Sequence, residues 1–258
     1  MKNNQLQKII IIRIMLIFLI IFSVTIVGCK KLKESESLIE KGNASFNLGK
    51  YEQAIEYYDK ALQIDSRLED ALIGKGGSLA TLGNISNAIS CFDEVLKINP
   101  KNTLAWFNKG NILYNLGEYQ ESISCFDKAL EFDPEDVETL AKKGDSLRML
   151  NKHQEAIDCY DKALKINPKY TMALNLKGLS LLIIDKDQDA LNCFNKSIKI
   201  DPKNAYPYFC KGLVLSKLEK RKEAKEALEY FIKIASPKDT YRIEKAKELI
   251  QAINQFNE

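Results

Sequence analysis

Histidine is almost absent from this sequence, which contains a single residue of this type, His153, among 258 positions. A metal site with several histidine ligands is therefore excluded, and no nucleophile stands at a spacing from His153 that supports a catalytic pair. A glycine-rich loop that could cradle phosphate is missing as well. These absences predict a protein that is not an enzyme and that uses neither a cofactor nor a metal ion.

Most of the chain also lacks an excess of positive charge. The sequence carries 38 Lys and Arg against 35 Asp and Glu, but Lys2, Lys8 and Arg13 account for the whole surplus. From residue 29 onward the two signs balance at 35 each. Because phosphate binding requires clustered positive charge, a nucleic acid is not expected as a partner.

The N-terminus contains an uncharged run that is strongly apolar. Residues 14–28 carry no charge, follow the three basic residues and lead into Ile26-Val27-Gly28-Cys29. A basic start, an apolar stretch and a small residue before a cleavage site are typical of a secretory signal. The ending resembles the lipobox of prokaryotic lipoprotein signals. That resemblance implies that residues 1–28 are a signal peptide and that the Cys29 thiol carries a lipid.

An uncleaved membrane anchor is the alternative interpretation of this segment. A spanning helix needs about 20 apolar residues, and Arg13 interrupts the apolar stretch 9–27. Both interpretations attach the chain to the cell membrane, through lipid at Cys29 or through an N-terminal helix. Both predict that the remainder lies on the extracytoplasmic side.

The dipeptide Lys-Gly recurs every 34 residues through the rest of the chain. A constant period of this size indicates one supersecondary unit copied in tandem, in which each copy buries its apolar face against its neighbours. Counted from Ser35, each residue has a position from 1 to 34 within its copy. The six predicted copies are 35–68, 69–102, 103–136, 137–170, 171–204 and 205–238.

Each copy predicts two helices joined by a turn. Positions 4, 8 and 11 lie on one stripe of a first helix, and positions 20, 24 and 27 lie on one stripe of a second. Position 8 is always glycine, and position 24 is always a large apolar or aromatic residue. The turn at position 15 has glycine in three copies, then Asn151, Asp185 and Glu219. Glycine, asparagine and aspartate tolerate positive φ, whereas Glu219 departs from the trend and marks the last copy as the most divergent.

This pattern resembles the tetratricopeptide repeat family, and the third copy matches the family's pattern best. The resemblance implies an all-α fold, namely a right-handed α-solenoid of six helix-turn-helix repeats with a concave groove that binds proteins. Residues 29–34 would be a short tether, and the helical apolar spacing within 239–258 predicts a C-terminal capping helix. The matching residues of the third copy are Trp106, Gly110, Tyr114, Gly117, Tyr119, Phe126, Ala129 and Pro134.

In this family, positions 2, 5, 9, 12 and 13 of the first helix face the groove. Phe107 and Tyr114 would present aromatic surface there, although Tyr114 packing against its own repeat is the alternative. The Asn111 amide could pair with the backbone of an extended peptide, and Arg148 would supply a fixed positive charge. The proposed partner-binding residues are Asn43, Phe46, Phe107, Asn111, Tyr114, Asn115, Arg148, Asn175 and Phe209.

Cysteine and lysine also follow the repeat. Four cysteines occupy position 23, and equivalent helices about 10 Å apart are too distant for disulfides between them, so these thiols are expected to be small apolar fillers. A disulfide between Cys193 and Cys210, on consecutive helices, remains open. The position-7 lysines are expected to cover apolar surface with their stems and not to bind a ligand.

The sequence therefore predicts a lipid-anchored scaffold that binds a peptide or a helix of a partner protein in its groove. An assembly factor for an envelope, secretion or pilus complex is a more specific version. A different prediction is a structural solenoid that associates with copies of itself. It would use exposed apolar surface at Leu179, Leu182, Leu213 and Phe209. A catalytic or sensor subunit is disfavoured because the sequence offers no reactive pair, metal set or phosphate loop.

Overall fold

The computed structural model describes residues 30–255, which form thirteen α-helices and contain no strand. The odd-numbered helices α1 to α11 are the first helices of the six copies, and the even-numbered helices are the second. The helices are α1 (30–47), α2 (Tyr51–Ile64), α3 (Glu69–Thr81), α4 (Ile85–Ile98), α5 (Thr103–Asn115), α6 (Tyr119–Phe132), α7 (Val137–Met149), α8 (His153–Ile166), α9 (Thr171–Ile183), α10 (Asp187–Ile200), α11 (Tyr206–Lys217), α12 (Arg221–Ile234) and α13 (Thr240–Gln255).

The chain divides into two compact units, with the boundary between Asn108 and Lys109 inside α5. In the unit that ends at Asn108, α3 packs against both α2 and α4. In the unit that begins at Lys109, each helix from α6 to α13 packs on the next, and α9 also contacts α7 and α11. The final helix α13 buries Ala246 and Ile253 in the same core as α12. The predicted fold class, an all-α solenoid of helix-turn-helix repeats with a capping helix, is confirmed.

Each position-8 glycine lies beneath the position-24 side chain of its own copy. A Cβ added to Gly144 would lie 2.6 Å from the Tyr160 ring, and one added to Gly178 would lie 2.7 Å from the Phe194 ring. Both distances are shorter than a van der Waals contact, and both rings are fully buried. Packing therefore requires glycine at position 8 of each copy, because the ring occupies the volume that any larger side chain there would need.

The adjacent glycines of α3 should respond to alanine in opposite directions. At Gly76 a Cβ would meet the buried Phe92 ring at 2.9 Å, whereas at Gly77 the nearest atom, on Phe46, lies at 3.8 Å. We expect Gly76→Ala to lower the free energy of unfolding by about 1–2 kcal/mol, because overpacking outweighs the better helix propensity. Gly77→Ala should raise it by about 0.5–1 kcal/mol. Urea denaturation of the purified variants measures both, and a shift of the same sign in the two variants would contradict the packing role.

All six turn residues at position 15 have positive φ, including Glu219. The values are 72°, 80° and 83° for the three glycines and 59°, 59° and 58° for Asn151, Asp185 and Glu219. In the last copy the Glu219 amide donates to the Ser216 carbonyl at 3.1 Å, and the next amide, of Lys220, donates to Leu215 at 2.9 Å. The same pair of bonds closes the turn at Asn151. Helix termination thus imposes the left-handed conformation on a residue type that does not favour it.

Glycine at this turn should stabilise the protein. We expect Glu219→Gly to raise the free energy of unfolding by about 0.5–1 kcal/mol. Glycine removes the steric cost of the left-handed backbone, and this gain exceeds the cost of the greater conformational entropy that glycine gives to the unfolded chain. Glu226→Gly, at an exposed site in the middle of α12, should lower it by about 1 kcal/mol. Thermal denaturation of both variants tests this contrast. Destabilisation by both substitutions would mean that Glu219 is not strained.

Three of the position-7 lysines form ion pairs with aspartates at position 25 of the preceding copy. The Lys75 ammonium lies 2.7 Å from Asp59, the Lys143 ammonium lies 2.5 Å from Asp127, and Lys177 pairs in the same way with Asp161. The charges of the paired ammonium groups are therefore neutralised by these aspartates, and the three lysines do not form a row of unpaired positive charges.

The position-23 cysteines are buried side chains, as expected. Burial raises the pKa of the Cys91, Cys159 and Cys193 thiols, although a lysine near each of them acts in the opposite direction. Burial also raises the pKa of Cys210 to about 11. Cys193 and Cys210 are both free thiols, so the disulfide that the sequence left open between them is not formed.

Candidate functional site

In the unit that ends at Asn108, the proposed contacts lie on α1 and α5. Asn43 is exposed, and its Oδ1 accepts a hydrogen bond of 2.7 Å from the Tyr58 hydroxyl. The half-buried Phe46 ring meets Tyr51 edge-on, with ring centroids 5.3 Å apart. Phe107 is half-buried on α5. Two of these side chains therefore have partners within their own copy, which fixes their orientation before any ligand arrives.

In the unit that begins at Lys109, three proposed contacts lie at the end of α5. Asn115 is exposed, whereas Asn111 and Tyr114 are half-buried. The Tyr114 ring packs edge-on against Tyr119 of its own copy at 5.5 Å, which is the alternative role that the sequence left open for it. The Lys142 ammonium lies 5.8 Å from the centre of the same ring, within the range of a cation–π contact.

Asp145 connects two of the proposed contacts. The Tyr114 hydroxyl donates to Asp145 Oδ2 at 2.8 Å, and Arg148 Nε donates to Asp145 Oδ1 at 2.8 Å. A second guanidinium nitrogen of Arg148 lies 2.7 Å from the same oxygen. The three side chains form one network that ties α5 to α7 and holds a tyrosine, a carboxylate and a guanidinium in fixed positions.

The environment of this network shifts the acid–base behaviour of its members. Burial, and then the hydrogen bond to Asp145, raises the pKa of Tyr114 to about 12. Burial acts to lower the pKa of Arg148, but pairing with Asp145 prevails and raises it above its ordinary value. Tyr114 is therefore a neutral donor and Arg148 a permanent cation whose charge is balanced by Asp145. The positive charge that the sequence analysis assigned to Arg148 is thus paired with a carboxylate of the same helix.

Of the remaining proposed contacts, Asn175 is buried, and the half-buried Asn111 shares one feature with it. Asn175 on α9 is 7% exposed, and its Oδ1 accepts no hydrogen bond from the residues that the structure describes. The Asn111 Oδ1 is likewise buried and without a donor in that part of the chain. Buried acceptors of this kind are uncommon and carry a penalty of about 1–3 kcal/mol each.

Phe209 is not available as a groove contact. Its side chain is 8% exposed, and its ring packs on Phe231 with centroids 5.1 Å apart. Position 27 is small in the other copies but is Phe231 in the last one, and this larger ring draws Phe209 into the core. Its proposed role as exposed apolar surface is corrected accordingly. Leu179, Leu182 and Leu213 are half-buried and remain on the surface of α9 and α11.

The first helices of this unit form one continuous layer, because α9 contacts both α7 and α11. We call the side chains at positions 2, 5, 9, 12 and 13 of these helices the α7–α9–α11 surface. Its α7 part carries Asp145 and Arg148, and its α9 part is apolar apart from Asn175. Its α11 part is mixed and consists of Tyr206, Phe209, Leu213, Ser216 and Lys217. Within residues 30–255 no group of three or more His, Cys, Asp or Glu side chains could hold a metal ion.

Family profiles described as tetratricopeptide repeat match residues 35–68, 69–102, 103–136, 137–170 and 193–229, which is more than half of the chain. The chain belongs to the tetratricopeptide repeat family. No curated protein sequence gives a significant match. The repeats identified in this way include α5 and α7, so the Tyr114–Asp145–Arg148 network joins first helices of two neighbouring tetratricopeptide repeats.

Solved structures of tetratricopeptide repeat proteins share the fold. PilF of Pseudomonas aeruginosa aligns with a TM-score of 0.74 at 19% identity, covering 84% of this chain and 99% of its own. PilW, a type IV pilus biogenesis factor, aligns at 0.73 with 20% identity, over 82% and 97% of the two chains. YrrB, described as having an unusual peptide-binding site, aligns at 0.60 with 23% identity, over 74% and 97%. At these identities the likeness establishes the fold alone.

The predicted attachment to the membrane falls outside the part of the chain that the structure describes. Cys29 and the signal segment 1–28 precede residue 30, the first described residue. Between residues 30 and 255, no helix combines the length and the apolar character that crossing a bilayer requires.

Proposed function

We propose that this tetratricopeptide repeat protein is a non-catalytic scaffold that binds a segment of a partner protein on its first-helix surfaces. The observation that carries the proposal is the Tyr114–Asp145–Arg148 network. Its three side chains are already held by hydrogen bonds in the unbound protein, so that little conformational entropy is lost on binding.

We further propose that the scaffold is held at the cell membrane by lipid at Cys29, with the repeats on the extracytoplasmic side. The support for this part is the basic start, the uncharged run and the Ile-Val-Gly-Cys ending. Stable attachment requires more than one acyl chain, as the lipid modification of such cysteines supplies. The alternative attachment through an uncleaved helix leads to the same location.

Site-specific photocrosslinking in cells that make the protein tests the scaffold function. A photoreactive amino acid at Asn115, exposed at the end of α5, should capture a partner, whereas the same group at exposed Glu131 on α6 should not capture that partner. Equal capture from both positions would contradict binding on the first-helix surfaces.

Mass spectrometry of the N-terminal peptide and fractionation of cells that make Cys29→Ala test the membrane anchor, because loss of lipidation should release the protein from membranes.

An assembly factor for an envelope or pilus complex is the more specific candidate. The PilW structure, whose protein is described as a type IV pilus biogenesis factor, aligns over most of this chain, and a lipobox is compatible with work at the envelope. Identification of the crosslinked partner as a pilus, secretion or envelope component would support this version. Self-association is the competing structural role, and light scattering that detects only a monomer would exclude it.

A further inference from the structure

Three lysines lie at the end of α1 that follows Cys29. Residues 30–33 read Lys-Lys-Leu-Lys, and all four side chains are exposed. None of the three lysines forms an ion pair with a residue between 30 and 255. The acids of the same helix come later, at Glu34, Glu36 and Glu40. Positive charge is therefore concentrated at one end of α1, although the chain as a whole is balanced from residue 29 onward.

A small apolar recess lies next to these lysines. It is lined by Lys31 and Leu32 of α1 and by Ile64 and Leu68, which flank the turn between α2 and α3, and its volume is about 300 Å³. Leu32 is 54% exposed, whereas Ile64 and Leu68 are half-buried. The buried Ser35 hydroxyl donates to the Leu32 carbonyl at 2.8 Å. An exposed apolar side chain thus stands among unpaired cations.

Arg67 adds a fourth cation beside the recess. Its side chain is 78% exposed, and its Nε lies 3.8 Å from an oxygen of Asp65, which is itself 48% exposed. An ion pair between such exposed groups contributes little to stability, so Arg67 is available to an external anion. We call the following five residues the basic end: Lys30, Lys31, Leu32, Lys33 and Arg67.

The predicted attachment point adjoins the basic end directly. Lys30, the first described residue, already belongs to α1, and Cys29 is its neighbour in the chain. A membrane anchor at Cys29 would therefore bring the basic end to the bilayer surface and hold it there at high effective concentration. Weak contacts with that surface then suffice, because the anchor has already covered the entropic cost of association.

We propose that the basic end docks on the anionic phospholipid headgroups of the bilayer that holds the chain. Docking rests on the proposed attachment at Cys29 and adds a second contact with the same membrane. Lipid phosphates pair with the four cations, and Leu32 enters the boundary between headgroups and acyl chains. The first copy is thereby fixed at the membrane surface.

A bilayer fits the basic end better than an acidic protein segment does. An acidic segment would have to bind through exposed ion pairs, each of which contributes little, and it would leave Leu32 in water. A bilayer presents a plane of phosphates with hydrocarbon beneath it, so the cations and Leu32 are accommodated together.

Fluorescence quenching in proteoliposomes tests docking on the full-length protein. A fluorescent amino acid is placed at Leu32 in one variant and, as the matched control, at Leu48, which is 72% exposed just beyond the other end of α1. The two positions are about 24 Å apart along the helix axis. Lipids with brominated acyl chains should quench the fluorophore at position 32 strongly in vesicles that contain phosphatidylglycerol and weakly in vesicles of phosphatidylcholine alone. The fluorophore at position 48 should remain unquenched in both.

Glutamine variants identify the groups that bind the lipid. Quenching measured against the fraction of phosphatidylglycerol gives the equilibrium constant for docking, which Lys31→Gln and Arg67→Gln should each lower roughly fivefold. Arg67 is distant in sequence from the cleavage region, so its substitution tests docking without disturbing the anchor. Lys41→Gln, an exposed site on α1 about 15 Å from Lys31, lies beyond the screening length of about 8 Å and should leave the constant unchanged.

Flotation of the same vesicles separates the possible failures. A protein that floats with both kinds of vesicle but is not quenched at position 32 in either would overturn docking and leave the anchor and the scaffold function in place. Quenching at position 32 that is equal in the two kinds of vesicle and unchanged by Arg67→Gln would also overturn it. A protein that floats with neither kind of vesicle would contradict the anchor and docking together.

Discussion

Replacement of Phe194 by alanine should lower the free energy of unfolding by about 3–5 kcal/mol. The Phe194 ring is fully buried in the fifth copy, where it covers Gly178 between α9 and α10. Its removal leaves a cavity that the rigid glycine backbone on one side cannot fill. In a repeat protein each copy is stabilised by its neighbours, so the loss should also weaken the packing of the copies on either side.

Phe132→Ala is the matched control for this prediction. Phe132 ends α6 and is 37% exposed, so its loss should lower the free energy of unfolding by less than about 1.5 kcal/mol. Urea denaturation followed by far-ultraviolet circular dichroism measures both variants. Equal destabilisation by the two substitutions would contradict the prediction that the position-24 ring contributes more to stability than an exposed ring does. A broadened transition for Phe194→Ala alone would indicate that the copies no longer unfold together.

The sequence predicted the features that repeat in every copy. The period placed Gly144 and Tyr160 on the facing stripes of two consecutive helices, and the structure shows that they are in contact. The positive φ at Asn151 and Asp185 was predictable for the same reason, because a turn of fixed length between two helices requires it at one place. These contacts lie within a copy, where local sequence determines the structure.

Contacts between copies were harder to predict because they depend on how neighbouring helices are stacked. The sequence analysis did not identify Asp59 or Asp127 as partners of the position-7 lysines. It identified Tyr114 and Arg148 as separate groove residues and missed Asp145, 31 residues after Tyr114, as the acceptor that joins them. Asp145 could have been recognised as this acceptor, because it is a carboxylate at a groove position on the next first helix after that of Tyr114.

Departures from the repeat produced the remaining errors. Phe209 stands at a position that faces the groove in the family, but Phe231 replaces the small residue found at the corresponding place in other copies. Two large rings in one copy pack together, so the groove position becomes part of the core. A residue inferred from family position alone is therefore reliable only where the residues that pack behind it keep their usual size.

Asp145→Ala should lower the free energy of unfolding by about 2–3 kcal/mol. Asp145 accepts hydrogen bonds from Tyr114 and Arg148, and its side chain is only 15% exposed. Its removal leaves the guanidinium of Arg148, whose side chain is 20% exposed, without its counter-charge, and a poorly hydrated charge without a partner is costly. The double variant Asp145→Ala/Arg148→Met should recover at least half of the loss, because it removes the isolated charge. Asp127→Ala, which breaks an exposed pair with Lys143, should cost less than about 1 kcal/mol.

An alkaline titration reports the same network through Tyr114. Burial and the bond to Asp145 raise the pKa of this tyrosine to about 12, so folding favours its neutral form. The resulting stabilisation is complete below the ordinary tyrosine pKa of about 10 and is lost as the pH rises through about 12. In Asp145→Ala the ultraviolet absorbance of ionised Tyr114 should appear at lower pH, although burial keeps its pKa above the ordinary value. An unchanged titration together with unchanged stability would mean that the three side chains are not coupled. The first-helix surface would then lack the rigid polar group on which its proposed recognition of a partner depends.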